Sequence, residues 1–300
     1  MNNKLKFLLI GDLHGEKPEI LVNLDDVDAI IAPGDFCSDE IRPHINLMLK
    51  KRKETGNDDI DLDEFVSKKK REKFEKNSIK KGREILEFLN SLKKPVFIVP
   101  GNWDHTPYED GRLCDVENFW ETTLIKGLSN IHDVEFLQKE FKGIVFLGHG
   151  STSAPEAIAQ IPPEAFDSKE EFAEYVMRWK FFAHIIPKIE NYFKRTKKPI
   201  IFISHNAPYN TRLDIINSPN NPAHKKHYGS VISRQLIDKY QPLLCVSGHI
   251  HEGYGKQRLK KTLCINAGYG GGVNTIVEID VSKNKIIKVE FLGKNKNHLS

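Results

Sequence analysis

Two carboxylates, four imidazoles and one carboxamide stand just past apolar runs of this chain: Asp12, His14, Asp35, Asn102, His205, His249 and His251. Side chains of these types share one competence. Their lone pairs hold divalent cations such as Mn, Fe, Zn, Ni or Co, and no thiolate is among them to draw softer metals. Two such ions about 3.5–4 Å apart lower the pKa of bound water and clamp phosphoryl oxygens, which is what phosphate ester hydrolysis requires at neutral pH. Spacing adds to the case. Asp12 and His14 share one short loop. His249 and His251 are alternate residues, which point the same way in an extended segment, and Gly248 permits close backbone approach. Singly these signals are weak, because an Asp or His at a strand end often only caps a turn. Seven at five strand ends are hard to explain as structure alone.

Elements must carry these donors to one place. Residues 6–10 lead into Gly11 and Asp12, residues 28–31 into Gly34 and Asp35, and residues 96–99 into Gly101 and Asn102. Residues 200–203 lead into Ser204 and His205, and residues 243–246 into Gly248 and His249. Continuous apolar runs suit strands buried on both faces and flanked by helices. Ligands of open α/β sheets bind beyond the carboxyl ends of strands, so the five loops converge on one site. Helices are predicted over residues 168–194 and 229–240. Residues 262–265, 273–279 and 286–292 read as consecutive strands of a second, partly antiparallel sheet.

Composition bounds the class. The chain has 300 residues, 39% hydrophobic and 29% charged, an ordinary globular balance. A single domain over 1–300 is expected. No apolar run approaches the length of a membrane helix, and no leader pattern precedes Gly11, so a cytoplasmic protein starting at Met1 is expected. Cys37, Cys114, Cys245 and Cys264 form no C-x-x-C pair and read as reduced, with core packing the default for three of them and a place near the site the alternative for Cys37. Between residues 50 and 94, fifteen Lys and Arg stand against ten Asp and Glu, a local +5 in a chain of net +4. This segment reads as a charged, basic helical insert at about 50–94. Its default is a solvated helix; the alternative is a basic arm for nucleic acid, which the lack of interleaved aromatics weakens.

The motifs Gly11-Asp12-Leu13-His14, Gly34-Asp35, Gly101-Asn102-Trp103-Asp104, Ser204-His205 and Gly248-His249-Ile250-His251 follow one another in an order that resembles the calcineurin-like metallophosphoesterases. The resemblance covers residues 5–270. It implies an α/β fold, a four-layer αββα sandwich of two mixed sheets flanked by helices. It also implies two divalent ions, Mn2+ first among them. One would be held by Asp12, His14, Asp35 and His251, the other by Asp35, Asn102, His205 and His249. Asp35 would bridge them beside a hydroxide that attacks phosphorus in line.

One position departs from the family pattern. The histidine that steadies or protonates the leaving group is Trp103 here, and an indole transfers no proton near neutral pH. His105 and His149 are candidate catalytic replacements beside Asp35 and Asn102, each also readable as structural. Arg212, His227, Gly229 and Ser230 are candidates for binding substrate phosphate, against the plainer readings of a surface ion pair for Arg212 and a helix cap for Ser230. The segment 266–272 resembles the family's late Asn-Pro-Gly stretch and could equally be a tight turn. The function expected is hydrolysis of a small or nucleotide-like phosphate mono- or diester. The alternatives are a scaffold on the same fold, since family members lacking this histidine include one, and a nuclease.

Overall fold

The apolar runs become strands whose two faces are both buried. The computed structural model describes residues 4–109, 112–113, 117–152, 154–156, 158, 161–166, 168–219 and 223–294. In chain order it contains β1 (Lys4–Leu9), β2 (Ala29–Ala32), α1 (Arg42–Thr55), α2 (Lys68–Ser91), β3 (Val96–Ile98), β4 (Tyr108–Glu109), β5 (Arg112–Leu113), β6 (Ile131–Asp133), β7 (Gln138–Phe141), β8 (Ile144–His149), α3 (Lys169–Arg195), β9 (Ile200–Asn206), α4 (Val231–Tyr240), β10 (Leu244–Gly248), β11 (Gly255–Leu259), β12 (Thr262–Asn266), β13 (Val273–Asp280) and β14 (Lys285–Gly293).

Two six-stranded mixed sheets form, in the orders β14-β13-β1-β2-β3-β6 and β11-β12-β10-β9-β8-β7. β1, β2, β3 and β6 are parallel, as are β8, β9, β10 and β12. The period of two along each strand sorts side chains to the two faces. Phe7 and Leu9 enter the core between the sheets, while Leu8 and Ile10 face the other way. Across the middle layer the rings of Phe97 and Phe146 stack at 3.7 Å between centroids. Ile85, Leu86 and Leu89 of α2 cover the outer face of the first sheet. Phe182, Ile185, Ile189 and Phe193 of α3, with Ile232, Leu236 and Ile237 of α4, cover that of the second. Helix, sheet, sheet, helix is the expected αββα sandwich.

Two expectations need correction. The late strands do not build a sheet of their own. β13 pairs antiparallel with β1 and carries β14 to the edge of the first sheet, while β12 pairs with β10 and extends the second. Each strand goes where an unpaired edge and an uncovered apolar face are available. The segment 50–94 is likewise more than a solvated insert. Ser78, Gly82, Ile85, Leu86 and Leu89 are buried, so the second half of α2 is the outer layer of the sandwich. Only its first half and α1 are solvent-facing, with Leu47 and Leu49 exposed. Its cations meet the chain's own acids, as in Arg71–Asp63, Lys81–Glu40 and Arg83–Glu87. Cys37, Cys245 and Cys264 are buried and free; Cys114 lies outside the described residues. Among those residues no helix is long and apolar enough to cross a membrane.

Candidate active site

The ends of β1, β2, β3, β9 and β10 meet at one edge of the sandwich, and the seven predicted donors meet there. Asp12, His14 and His251 form one group: His251 Nε2 lies 3.1 Å from Asp12 Oδ2 and 3.2 Å from His14 Nε2. Asp35, His205 and His249 form the other, with His249 Nδ1 3.2 Å from His205 Nε2. Asn102 joins the second group, its Oδ1 2.9 Å from His205 Nε2. Asp35 stands between them. Its Oδ2 is 3.7 Å from His14 Nε2 and 3.5 Å from His205 Nε2. Asp12, His14, Asp35, His205 and His251 are buried, His249 is half-buried and Asn102 opens to solvent.

The protonation pattern leaves lone pairs pointing inward. His205 Nδ1 is 2.9 Å from the Pro33 carbonyl, which only accepts, so in a neutral ring the proton belongs on Nδ1 and Nε2 keeps its lone pair. That lone pair faces the Asn102 carboxamide oxygen, a second acceptor. Asp12 Oδ1 is buried with no hydrogen-bond partner among the described residues. Burial, and then the charges of Asp12 and Asp104, push the Asp35 carboxyl well above the usual carboxylate range. Converging acceptors and mutually repelling buried acids are what a cation relieves. The donors present therefore fit divalent metal.

Local backbone geometry supports a functional origin. His14, Asp35 and His249 are non-glycine residues with φ of 45°, 57° and 65°. Such positions cost about 1–3 kcal/mol each and cluster at active sites. His249 in this conformation, followed by His251 in a short 3-10 turn, corrects the extended-segment argument. The two imidazoles do not point the same way; each serves a different group. Gly248 does permit close approach, because a Cβ there would come within 2.0 Å of Asp12 Oδ1.

Two residues escaped the sequence reading as site-builders. Asp104 is fully buried, and its carboxylate accepts from the N–H groups of Asp35, Gly101, Phe36 and Cys37 at 2.7–2.9 Å. It thereby clamps the loop that carries Asp35. Asn266 donates from Nδ2 to the carbonyls of Leu213, Gly248 and Ile250, holding the turn between His249 and His251. The signal was available for Asp104 in its motif, but its partners are main-chain groups that no side-chain pattern reveals.

The remaining candidates lie elsewhere. His105 Nε2 meets Ser78 Oγ of α2 at 3.2 Å, and burial lowers its pKa. His149 Nε2 meets the buried Glu156 Oε1 at 3.1 Å. Glu156 also accepts from Ser230 Oγ and from the N–H groups of Val231 and Ile232. Ser230 caps α4 through the N–H of Ser233. The helix N-terminus thus already holds a carboxylate, which would repel a phosphate. Gly229 N donates to Asp214 Oδ2, and His227 Nδ1 lies 2.7 Å from Asp214 Oδ1. The Arg212 guanidinium donates to the Lys256 carbonyl, beside a groove of about 610 Å³ that includes Arg258 and Lys288. None of these six belongs to either ligand group.

The fold and the paired donor groups define a metallophosphoesterase class of protein. The calcineurin-like phosphoesterase family matches residues 5–253, and the chain belongs to that family. The uncharacterized protein MJ1162 of Methanocaldococcus jannaschii is 26% identical over 217 residues, covering 71% of this chain and 81% of its own length. One solved crystal structure aligns over 97% of this chain and 99% of its own at a TM-score of 0.57 and 16% identity. A dimetal phosphatase from Danio rerio aligns over 96% and 98% at 0.50 and 9%. At these identities the likeness is one of fold.

Proposed function

We propose that this chain hydrolyses a small phosphate ester, mono- or diester, with two divalent ions at the paired groups. Asp12, His14, Asp35 and His251 would hold one ion and Asp35, Asn102, His205 and His249 the other. Mn2+ is the first choice and Fe, Zn, Ni or Co also suit the donors. The observation that carries this reading is the position of Asp35, whose single Oδ2 lies within 3.7 Å of a ring nitrogen in each group. The bound ions would activate water and neutralise phosphoryl charge. The protein's part is to fix their places. Asp35 is locked by Asp104, His205 is oriented by Pro33, and His249 N donates to Asp12 Oδ2 at 2.5 Å. At the motif position where the family carries an imidazole for the leaving group, this chain carries Trp103. Unbonded Cys245 and Cys264, which pair in register, suit a reducing cytoplasmic setting.

The test is p-nitrophenyl phosphate and bis-p-nitrophenyl phosphate turnover with Mn2+ added, alongside elemental analysis. Two ions per chain and metal-dependent turnover are expected. Asp35→Ala should lose at least one ion and nearly all activity. A wild type with two ions but no turnover on any ester would instead favour the scaffold reading that Trp103 permits.

A further inference from the structure

Arg42 opens α1, seven residues past Asp35, and its side chain reaches back to the site. Its Nε lies 2.8 Å from Asp39 Oδ2, and the same oxygen is 3.6 Å from His14 Nδ1. On the other side its guanidinium lies over the Trp103 ring, 5.4 Å from the centroid. Trp103 in turn is pinned to the centre, because its main-chain N–H donates to Asp35 Oδ1 at 3.0 Å and Asn102 precedes it. The cation is thus tethered at one end to a ligand of the first group and at the other to the loop carrying a ligand of the second. Among the described residues Asp39 is the only group that pairs with the guanidinium, and it takes Nε. The terminal Nη1 and Nη2 make no hydrogen bond there, and the side chain is 33% exposed.

We propose that Arg42 forms a phosphate-binding subsite of this centre, with Trp103 as its platform, so that the residue at the departing position carries an arginine where an imidazole would stand. A guanidinium is a planar fork of N–H donors that matches two oxygens of a phosphoryl group, and it stacks readily on an aromatic face. The indole restricts the fork without neutralising it. Asp39 fixes its roll about the side-chain axis. Arg42 donates hydrogen bonds but transfers no proton, since it stays charged at any working pH. The subsite therefore stabilises phosphoryl charge and leaves the leaving group unprotonated. It favours the doubly charged monoester, or inorganic phosphate, over the singly charged diester.

This inference rests on the phosphoesterase reading, and the experiment separates the two. Mn2+-loaded wild type, Arg42→Ala and Arg42→Lys are titrated with inorganic phosphate by calorimetry, with metal content measured in parallel. Arg42→Ala should weaken phosphate binding about tenfold or more, the scale of one charged hydrogen-bonding partner, with metal content unchanged. Arg42→Lys should recover little, because a point charge does not reproduce the fork. Monoester kcat/KM should fall further than diester kcat/KM, and added guanidinium ion should restore part of it in Arg42→Ala. If Arg42→Ala fails to fold, Arg42→Gln, which keeps an N–H for Asp39, gives the same comparison. Unchanged phosphate affinity overturns the subsite. So does loss of an ion from the variant, which would mean that Arg42 only positions His14 through Asp39. A wild type that binds neither metal nor phosphate overturns the phosphoesterase reading as well.

Discussion

A single carboxylate holds the loop on which the centre depends. Asp104 is fully buried and spreads four N–H bonds over its two oxygens. Burial pushes its carboxyl up, while the N–H groups of Gly101, Cys37 and Asp35 pull it back. Asp104→Asn keeps the shape and replaces one acceptor oxygen with an NH2 that faces two donors. Each buried donor left unpaired costs about 1–3 kcal/mol. The variant should unfold at lower temperature, and activity should fall about 10- to 100-fold, as for loss of a group that orients a ligand. Thermal melts and elemental analysis check this. Wild-type metal content with wild-type turnover would show that the Asp35 loop holds itself.

Among the elements, α2 packs directly on that loop. Gly82 lies where a Cβ would come 2.3 Å from Cys37 Sγ and 3.2 Å from Cys37 Cα. Ser78, one turn earlier, donates to the Ser38 carbonyl at 2.6 Å. Helix propensity alone says that Gly82→Ala gains about 1 kcal/mol. Overpacking a tight contact costs about 1–3 kcal/mol, and main chain stands behind the sulfur, so crowding wins. Gly82→Ala should lower Tm and reduce turnover together, because Cys37 is two residues past Asp35. A raised Tm in calorimetry would show that the loop yields and that propensity decides. Thr55→Ala at the far end of α1, on exposed surface, should leave both quantities unchanged.

Across the whole molecule, the centre is a seam between two sheets. Asp12, His14, Asp35 and Asn102 follow strands of the first sheet; His205 lies at the end of β9 and His249 and His251 follow β10, both of the second sheet. Ions bound across that seam would stabilise the folded state by mass action, about 2.7 kcal/mol for a site at 100 times its Kd. Chelation should therefore lower Tm by several degrees and Mn2+ should restore it. Asp35→Ala should show a much smaller metal-dependent shift, because one side chain serves both groups. Differential scanning calorimetry with EDTA and with Mn2+ measures this. Coincident melts of metal-free and metal-loaded wild type would mean that the ions do not engage the folded seam.

How much of this was legible in the sequence follows from the range of the forces involved. Strand runs and the two long helices were legible because burial imposes local periodicity: residues 168–194 became α3, with Ser168 as its cap, and the five motif loops met as expected. The candidate donor types were legible because carboxylate, imidazole and carboxamide lone pairs suit divalent cations wherever the chain places them. The destination of β12, β13 and β14 was not, since a strand pattern does not say which sheet has a free edge. The motif resemblance assigned His249 and His251 to different groups, but their spacing did not, because it depends on a left-handed turn that Asn266 clamps from another strand. His149, Ser230 and Glu156 read as separate residues along the chain and became one buried network. Arg42 carried no signal as a sequence position. Its place over Trp103 exists because α1 packs the two side by side, and long-range contacts of that kind are set by tertiary packing alone.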